Sequence, residues 1–215
     1  MPPDFDWRKF IQITAGQPPW PQLVRAVEFL GRSGDAIDLG CGGGRDTEYL
    51  LRQGFRVTAV DASPFAASAL RRLPRQRQLR FVQSEIEDFV PEPSDLINAQ
   101  FVLPFLRADR FTACVQRLVD ALRTEGVLAA TFFGPNDEWN VPGSELTFVT
   151  RPALDALLRR LRVVELNEED HDGKTADGTP KHWHVYHVIA ARRPGRPPRS
   201  RPGVPRDGGA YRWTP

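Results

Sequence analysis

Ala36-Ile37-Asp38-Leu39-Gly40-Cys41-Gly42-Gly43-Gly44-Arg45-Asp46 carries the chain from a short apolar strand, through a turn made almost wholly of glycine, into a helix. A strand-to-helix turn that gives up its side chains leaves room beside a ligand and leaves helix amides free to meet it. A second apolar run, Arg56 to Val60, ends at Asp61. Strand, glycine turn, helix, strand and terminal acid is the order of a nucleotide-binding α/β unit.

Working outward, the same alternation continues. Leu23, Val24, Val27 and Leu30 fall at helical spacing between Trp20 and Leu30, entered through Pro21. A helix is expected from Asp46 to Gln53, stopped by Gly54. Ser63-Pro64 opens another by the serine-cap and proline-first rule, and Pro74 closes it. Strands are read at Leu79 to Gln83, Asp95 to Ala99 and Val127 to Phe133, with a helix from Arg107 to Leu122 striped by Phe111, Val115, Leu118, Val119 and Leu122. The long irregular stretch from Gly134 to Thr150 reads as a lid or substrate wall. Arg151-Pro152 begins a helix to Leu161, and strands follow at Val163 to Asn167 and His182 to Ala191, with the polar Glu168 to Lys181 as their connection.

Repeated βα units imply a parallel sheet, whereas two successive strands without a helix imply an antiparallel hairpin. The expected fold class is therefore α/β, a Rossmann-like, mostly parallel sheet with an antiparallel last strand and helices on both faces. Its 215 residues, 40% of them hydrophobic, suffice for one sizeable core. We divide the chain into residues 1–19, a cover over the site; residues 20–191, the catalytic domain; and residues 192–215, a flexible tail rich in proline and arginine.

Charge and cysteine usage narrow the partners. The formal net charge is only +2, and arginines 192, 193, 196, 199, 201, 206 and 212 face Asp207 alone in the tail. The remainder thus has no basic excess with which to hold nucleic acid. Two cysteines, Cys41 and Cys114, in apolar surroundings suggest reduced thiols. The opening residues lack the basic and apolar runs of a secretion signal, and no segment has the length to span a bilayer. A cytoplasmic protein is expected, with no membrane partner.

Gly40, Gly42 and Gly44 permit close approach to an adenosine ligand, and Asp61 lies where a ribose can offer both hydroxyls to a carboxylate. A pyrophosphate is disfavoured because Asp38 stands two residues before the first glycine, where it would repel phosphate and attract an ammonium group. On these residues the chain resembles the class I S-adenosylmethionine-dependent methyltransferases, in particular the small-molecule branch that includes the tellurite-resistance and thiopurine-type enzymes. Asp38 to Gly44, with Arg45-Asp46 after them, match that family's first motif.

The resemblance, spanning residues 20 to 191, implies a seven-stranded sheet and S-adenosylmethionine as cofactor. It implies that Asp38, Gly40, Cys41, Gly42, Gly44 and Arg45 surround the methionine part, that Asp61 binds the ribose, and that Ala62 lies beside the adenine. Glu85 and Ile86 match the acidic-apolar pair that reads the adenine ring, and Asn98 leaves strand four at the sulfonium end. The implied activity is methyl transfer to a small-molecule acceptor by in-line displacement, which works mainly by alignment and needs a base only when the acceptor holds its proton.

For the acceptor side the aromatic candidates are Trp7, Phe10, Trp20, Phe105 and Trp139, with Asp137 beside the last. Alternation in the final strand puts His182, His184 and Tyr186 on one face and Trp183, Val185 and His187 on the other. His182, His184 and Tyr186 are the catalytic candidates. His171, His182 and His184 with Asp170 or Asp172 do not follow a recognised zinc spacing, so no metal is expected. Two alternatives stay open. One is an RNA methyltransferase using the basic tail, although Asn98-Ala99-Gln100-Phe101 lacks the signature of enzymes that methylate base amino groups. The other is a non-catalytic S-adenosylmethionine-binding protein.

Overall fold

The computed structural model describes residues 6–194, apart from the side chains of Trp7 and Phe10. The expected roles of those two aromatics, and of the tail from residue 195 onward, lie outside the described residues. Six helices and seven strands are described: α1 (Trp7–Thr14), α2 (Pro21–Leu30), β1 (Asp35–Leu39), α3 (Arg45–Arg52), β2 (Arg56–Asp61), α4 (Pro64–Leu70), β3 (Leu79–Gln83), β4 (Ser94–Ala99), α5 (Ala108–Ala121), β5 (Leu122–Phe133), α6 (Arg151–Leu158), β6 (Leu161–Lys174) and β7 (Pro180–Arg192). The sheet order is β3-β2-β1-β4-β5-β7-β6. The first five strands run parallel, and β7 lies antiparallel to both β5 and β6.

Each face of the sheet is closed by helices whose apolar stripes fit it. Ile37, Leu39, Ile97, Leu128, Ala130, Tyr186 and Val188 pack under α5 and α6 through Val115, Leu118, Leu154 and Leu158. Ala36, Val57, Leu96, Val127, Ala129 and Ile189 pack under α2 and α3 through Leu23, Ala26, Leu50 and Leu51. The parallel strands are apolar on both sides because both sides are covered. Local signals act as expected: the Ser63 hydroxyl accepts the Phe65 N–H at 3.3 Å to start α4, and α2 ends on Gly31 at φ 66°. Among the described residues no helix is long and apolar enough to cross a membrane.

Three readings are corrected. The segment expected to connect the last two strands is itself mostly strand: β6 continues to Lys174 and β7 starts at Pro180, paired in register from Glu168↔Tyr186 to Lys174↔Pro180. Charged residues on a two-stranded arm gave no apolar alternation to read. Strand β5 begins at Leu122, five residues before Val127, and passes through Glu125 at φ 63° before Gly126. A helix at Trp7–Thr14 was not expected; Asp6 caps it by accepting the Lys9 N–H at 3.0 Å.

Candidate active site

The glycine turn leaves β1 at the carboxyl edge of the sheet. Gly40 and Gly42 hold φ of 64° and 49°, a region that costs a residue with a Cβ strain, so the chain can reverse into α3 here only with glycine. Asp61, at the end of β2, ties this turn down: one carboxylate oxygen accepts the Gly42 N–H and the other the Ser63 N–H, both at 2.8 Å. Burial raises its pKa, and these two amides oppose the rise. Each oxygen keeps a further lone pair for a hydroxyl.

Not all the room left by the glycines is for a ligand. A Cβ on Gly43 would sit 2.7 Å from the Ile11 carbonyl oxygen and 2.9 Å from Ala15, so α1 lies directly on the turn. A Cβ on Gly40 would meet Val102 at 2.5 Å, and one on Gly44 would meet Leu70 at 2.7 Å. Gly42 alone of the four has no neighbour closer than 3.8 Å.

Beneath the turn two carboxylates are buried together. Asp38 accepts from the Thr47 hydroxyl at 2.5 Å and from the Asn98 amide at 2.8 Å, and the same amide donates to Asp46 at 2.9 Å. Asp46 also accepts the Trp20 N–H at 3.0 Å, which pins the start of α2 to the site. Burial, then the Asp46 charge, push Asp38 up to about 7. Asp46 is raised by burial as well. The chain of bonds continues across the sheet: Gln100 donates to the Asn98 side-chain oxygen at 3.2 Å, and the Thr131 hydroxyl donates to Gln100 at 2.8 Å.

Arg45 lies over the Trp20 ring at 4.4 Å, and its Nε is buried with no hydrogen-bond partner. Arg45 Nε lies 3.7 Å from an Asp46 oxygen, too far for a hydrogen bond but close enough to offset part of the charge of the two buried acids; a ligand end that carries both an ammonium and a carboxylate would complete the arrangement. The thiol of Cys41, raised by burial, is no nucleophile. Ala62 and Glu85 are exposed beside Asp61 and the end of β3, whereas Ile86 is buried against Phe89 and α5, and its carbonyl oxygen accepts from Arg117.

Above the ends of β4 and β5 stands a group of aromatic rings, with Phe133 buried and Trp20, Phe101, Trp139 and Trp183 partly exposed. Phe101 adopts φ 52°, a strained left-handed conformation for a bulky residue, and this turns its ring onto Trp20 at 4.6 Å, Trp183 at 5.9 Å and His187 at 5.9 Å. Phe133, Trp139 and Trp183 continue the wall. They also box in Lys181, whose Nζ is 3.8 Å from the Trp183 ring centre and 4.5 Å from that of Trp139. Its ion pair with Asp137, at 2.5 Å, is almost wholly buried and staples the loop after β5 to the hairpin.

The structure places His182, His184 and Tyr186 together on the other face of β7. His182 bonds Asp172 and Asp170 at 2.7 Å through its two ring nitrogens, and those carboxylates raise its pKa. The His184 ring lies flat on Gly134, where any Cβ would come within 2.5 Å; its Nδ1 accepts the Asn136 N–H at 3.0 Å, so Nε2 carries the proton toward Glu168 at 3.1 Å. Tyr186 is buried under α5 and α6. Trp183 and His187 are the β7 side chains on the aromatic wall. The signal that finds them is the β5–β7 register, which sets His187 opposite Thr131. Among the described residues no group of three or more histidine, cysteine or acidic side chains is arranged to hold a metal.

Comparison with known proteins meets this geometry. A family model described as a methyltransferase domain matches residues 37–130, the span from β1 through the glycine turn to the middle of β5. Trans-aconitate 2-methyltransferase of Enterobacter sp. (strain 638) is 32% identical over 133 residues, 58% of this chain and 50% of that protein. The chain spans about half the length of that curated relative or less of others such as the 39% of the Paracidovorax citrulli enzyme of the same name. The structure of TehB from Haemophilus influenzae superposes with a TM-score of 0.70 at 18% identity, covering 81% of this chain and 62% of that one. The 1,6-didemethyltoxoflavin-N1-methyltransferase of Burkholderia thailandensis, solved with its acceptor and S-adenosylhomocysteine, gives 0.61 at 25% identity, covering 80% and 77%. Over residues 37–130 the chain is thus similar to a methyltransferase domain, and its fold is similar to that of enzymes of this class.

Proposed function

We propose that this chain transfers the methyl group of S-adenosylmethionine to a small-molecule acceptor with a flat ring. The observation that carries the reading is the wall of partly exposed rings, Trp20, Phe101 and Trp183, backed by the buried Phe133 and standing beside the glycine turn. Aromatic faces favour a stacked ring over a tricarboxylate, which would want cations; Lys181 is spent on Asp137. When bound, the cofactor supplies a methyl group already activated by a sulfonium leaving group. The chain's own part is to hold and align.

In this reading Asp61 takes the ribose hydroxyls, Asp38 and Asp46 the ammonium, Arg45 the carboxylate, and Gly40, Cys41, Gly42 and Gly44 the backbone around them. Ala62, Glu85 and Ile86 border the adenine, and Asn98 spaces the two buried acids at the methyl end. Helix α1 is a cover over the turn. His182 and His184 brace the hairpin and its neighbouring loop rather than meet the acceptor, since their ring nitrogens already face Asp170, Asp172, Asn136 and Glu168. Tyr186 is a core residue in the same account.

The test is formation of S-adenosylhomocysteine with a panel containing 4-hydroxyquinoline, N–H heteroaromatics, phenols and trans-aconitate. Turnover of a flat N–H or O–H ring compound is expected. Turnover of trans-aconitate alone would overturn the choice of acceptor, and cofactor binding without turnover of any compound would favour a non-catalytic binding protein.

A further inference from the structure

The connection from α4 to β3 carries a charge unlike that of the rest of the domain. Residues 62–84 hold five arginines, at 71, 72, 75, 77 and 80, and no acid. Of the chain's net +2, residues 192–215 supply +6 and this segment +5, which leaves everything else at −9. The near balance of the whole therefore hides a strongly basic strip on an acidic domain. Among the described residues Arg80 pairs with Glu92 at 2.6 Å, whereas Arg71, Arg72, Arg75 and Arg77 are exposed and have no acid within ion-pair distance.

The backbone under the strip is held in one shape. Leu70, the last residue of α4, and Leu73 sit against the glycine turn at Gly44. The Gln76 amide donates to the Leu70 and Leu73 carbonyl oxygens at 2.8 and 2.7 Å, which closes the helix end and opens a short 3-10 turn, Gln76–Gln78. Before that turn Arg75 takes φ 55° and ψ 42°, a left-handed conformation in which glycine or asparagine would be less strained. Four like charges within residues 71–77 also repel one another. Strain and repulsion at one exposed loop are what an anionic partner offsets.

The side chains around the arginines select the kind of anion. Leu73 and Pro74, the only apolar residues among 71–78, are half-buried, so the strip lacks the exposed apolar centre on which a protein interface or a bilayer contact builds. A phosphate backbone needs no such centre, because it is bound through charge and paired N–H donors. At the start of α4 Phe65 is exposed, with the Arg8 guanidinium 5.2 Å from its ring centre, and an exposed ring beside cations favours unpaired bases that can stack. We propose that residues 71–77 form a docking surface for the phosphate backbone of a single-stranded nucleic acid. The assignment is of binding, not of methylation of the strand, and is independent of the methyl-transfer reading. The loop leads into the amino end of β3, whereas the glycine turn and Asp61 stand at the carboxyl ends of β1 and β2.

The experiment is fluorescence anisotropy of a labelled oligouridylate of about 20 nucleotides, long enough to cover one such surface, with the full chain at several salt concentrations. The native protein is compared with a fourfold variant carrying Arg71→Gln, Arg72→Gln, Arg75→Gln and Arg77→Gln. Four phosphate contacts to a single strand account for about 3 in the slope of log affinity against log salt, so the variant's slope should be shallower by about that amount. Its affinity at low salt should be roughly tenfold or more weaker, with a thermal melt no lower than the native one. Arg75→Gly alone should hold or raise Tm while flattening the slope by about 0.7, a split that a merely structural arginine would not show. No binding by the native chain overturns the proposal, and so does an unchanged slope in the fourfold variant, which would place the strand on other arginines. Tighter binding of a duplex of the same length, of polyglutamate or of phosphatidylserine vesicles assigns the strip to a different partner and overturns it too.

Discussion

Replacing Lys181 by methionine tests the buried staple that holds the loop after β5. The ammonium lies 2.5 Å from Asp137, beside three aromatic rings, with the lysine side chain 2% exposed and the aspartate 0%. At an effective dielectric of about 20 the gross attraction at that distance is about 7 kcal/mol, but desolvating two ions returns several kcal/mol of it. The pair therefore gains little net. Removing one member is different, because Asp137 would keep only the Trp139 and His184 amides, at 3.1 and 3.3 Å.

Methionine fills the aromatic box with a side chain of similar length, so the loss isolates the stranded charge. We expect destabilisation of about 3–5 kcal/mol, which for a chain of this size lowers Tm by roughly 6–20 °C. Urea unfolding followed by tryptophan fluorescence reads it directly through Trp139 and Trp183. Adding Asp137→Asn to Lys181→Met should recover most of the loss. A cost under about 1 kcal/mol, or a double variant no better than the single, would refute the reasoning.

Gly43→Ala should lift α1 from the glycine turn, since the new Cβ meets backbone atoms of α1 at under 3 Å; hydrogen exchange should quicken in Trp7–Thr14, and unchanged protection there would count against the packing. The pH dependence follows from Asp38, whose folded pKa of about 7 lies above its unfolded value near 4. Ionising it costs folding stability progressively as pH rises between those values, and an ammonium-bearing ligand recovers that cost. S-adenosylmethionine affinity should therefore be level above about pH 7 and fall roughly tenfold per unit below it, and Asp38→Asn should flatten the profile in calorimetry. A flat profile in the native protein would contradict the placing of the ammonium.

The parallel sheet was legible because its signals are local: a glycine turn after an apolar strand, Ser63-Pro64 opening α4, and the stripe from Phe111 to Leu122. Asp38, the glycines and Asp61 were legible for the same reason, being fixed by their place at strand ends. What the glycines make room for was not, since Ile11, Ala15, Val102 and Leu70 come from elsewhere in the chain. The hairpin arm from Glu168 to Lys174 hid behind its charges, because a strand that buries no face shows no alternation. Alternation sorted the β7 side chains into two faces, but which face meets the aromatic wall depends on the pairing of Thr131 with His187, a contact across 56 positions of sequence. The Lys181–Asp137 pair was out of reach for the same reason, and Lys181 alone resembles any surface lysine until the three rings close around it.

The most direct test of the central claim is calorimetry of S-adenosylhomocysteine with the folded chain and with Asp61→Ala. Binding is expected at one site, weakened roughly tenfold or more by Asp61→Ala, because a charged hydrogen-bond acceptor for the ribose is lost, and far less by His184→Ala. No binding of this compound or of S-adenosylmethionine, with tight binding of a nicotinamide dinucleotide in its place, would contradict the account.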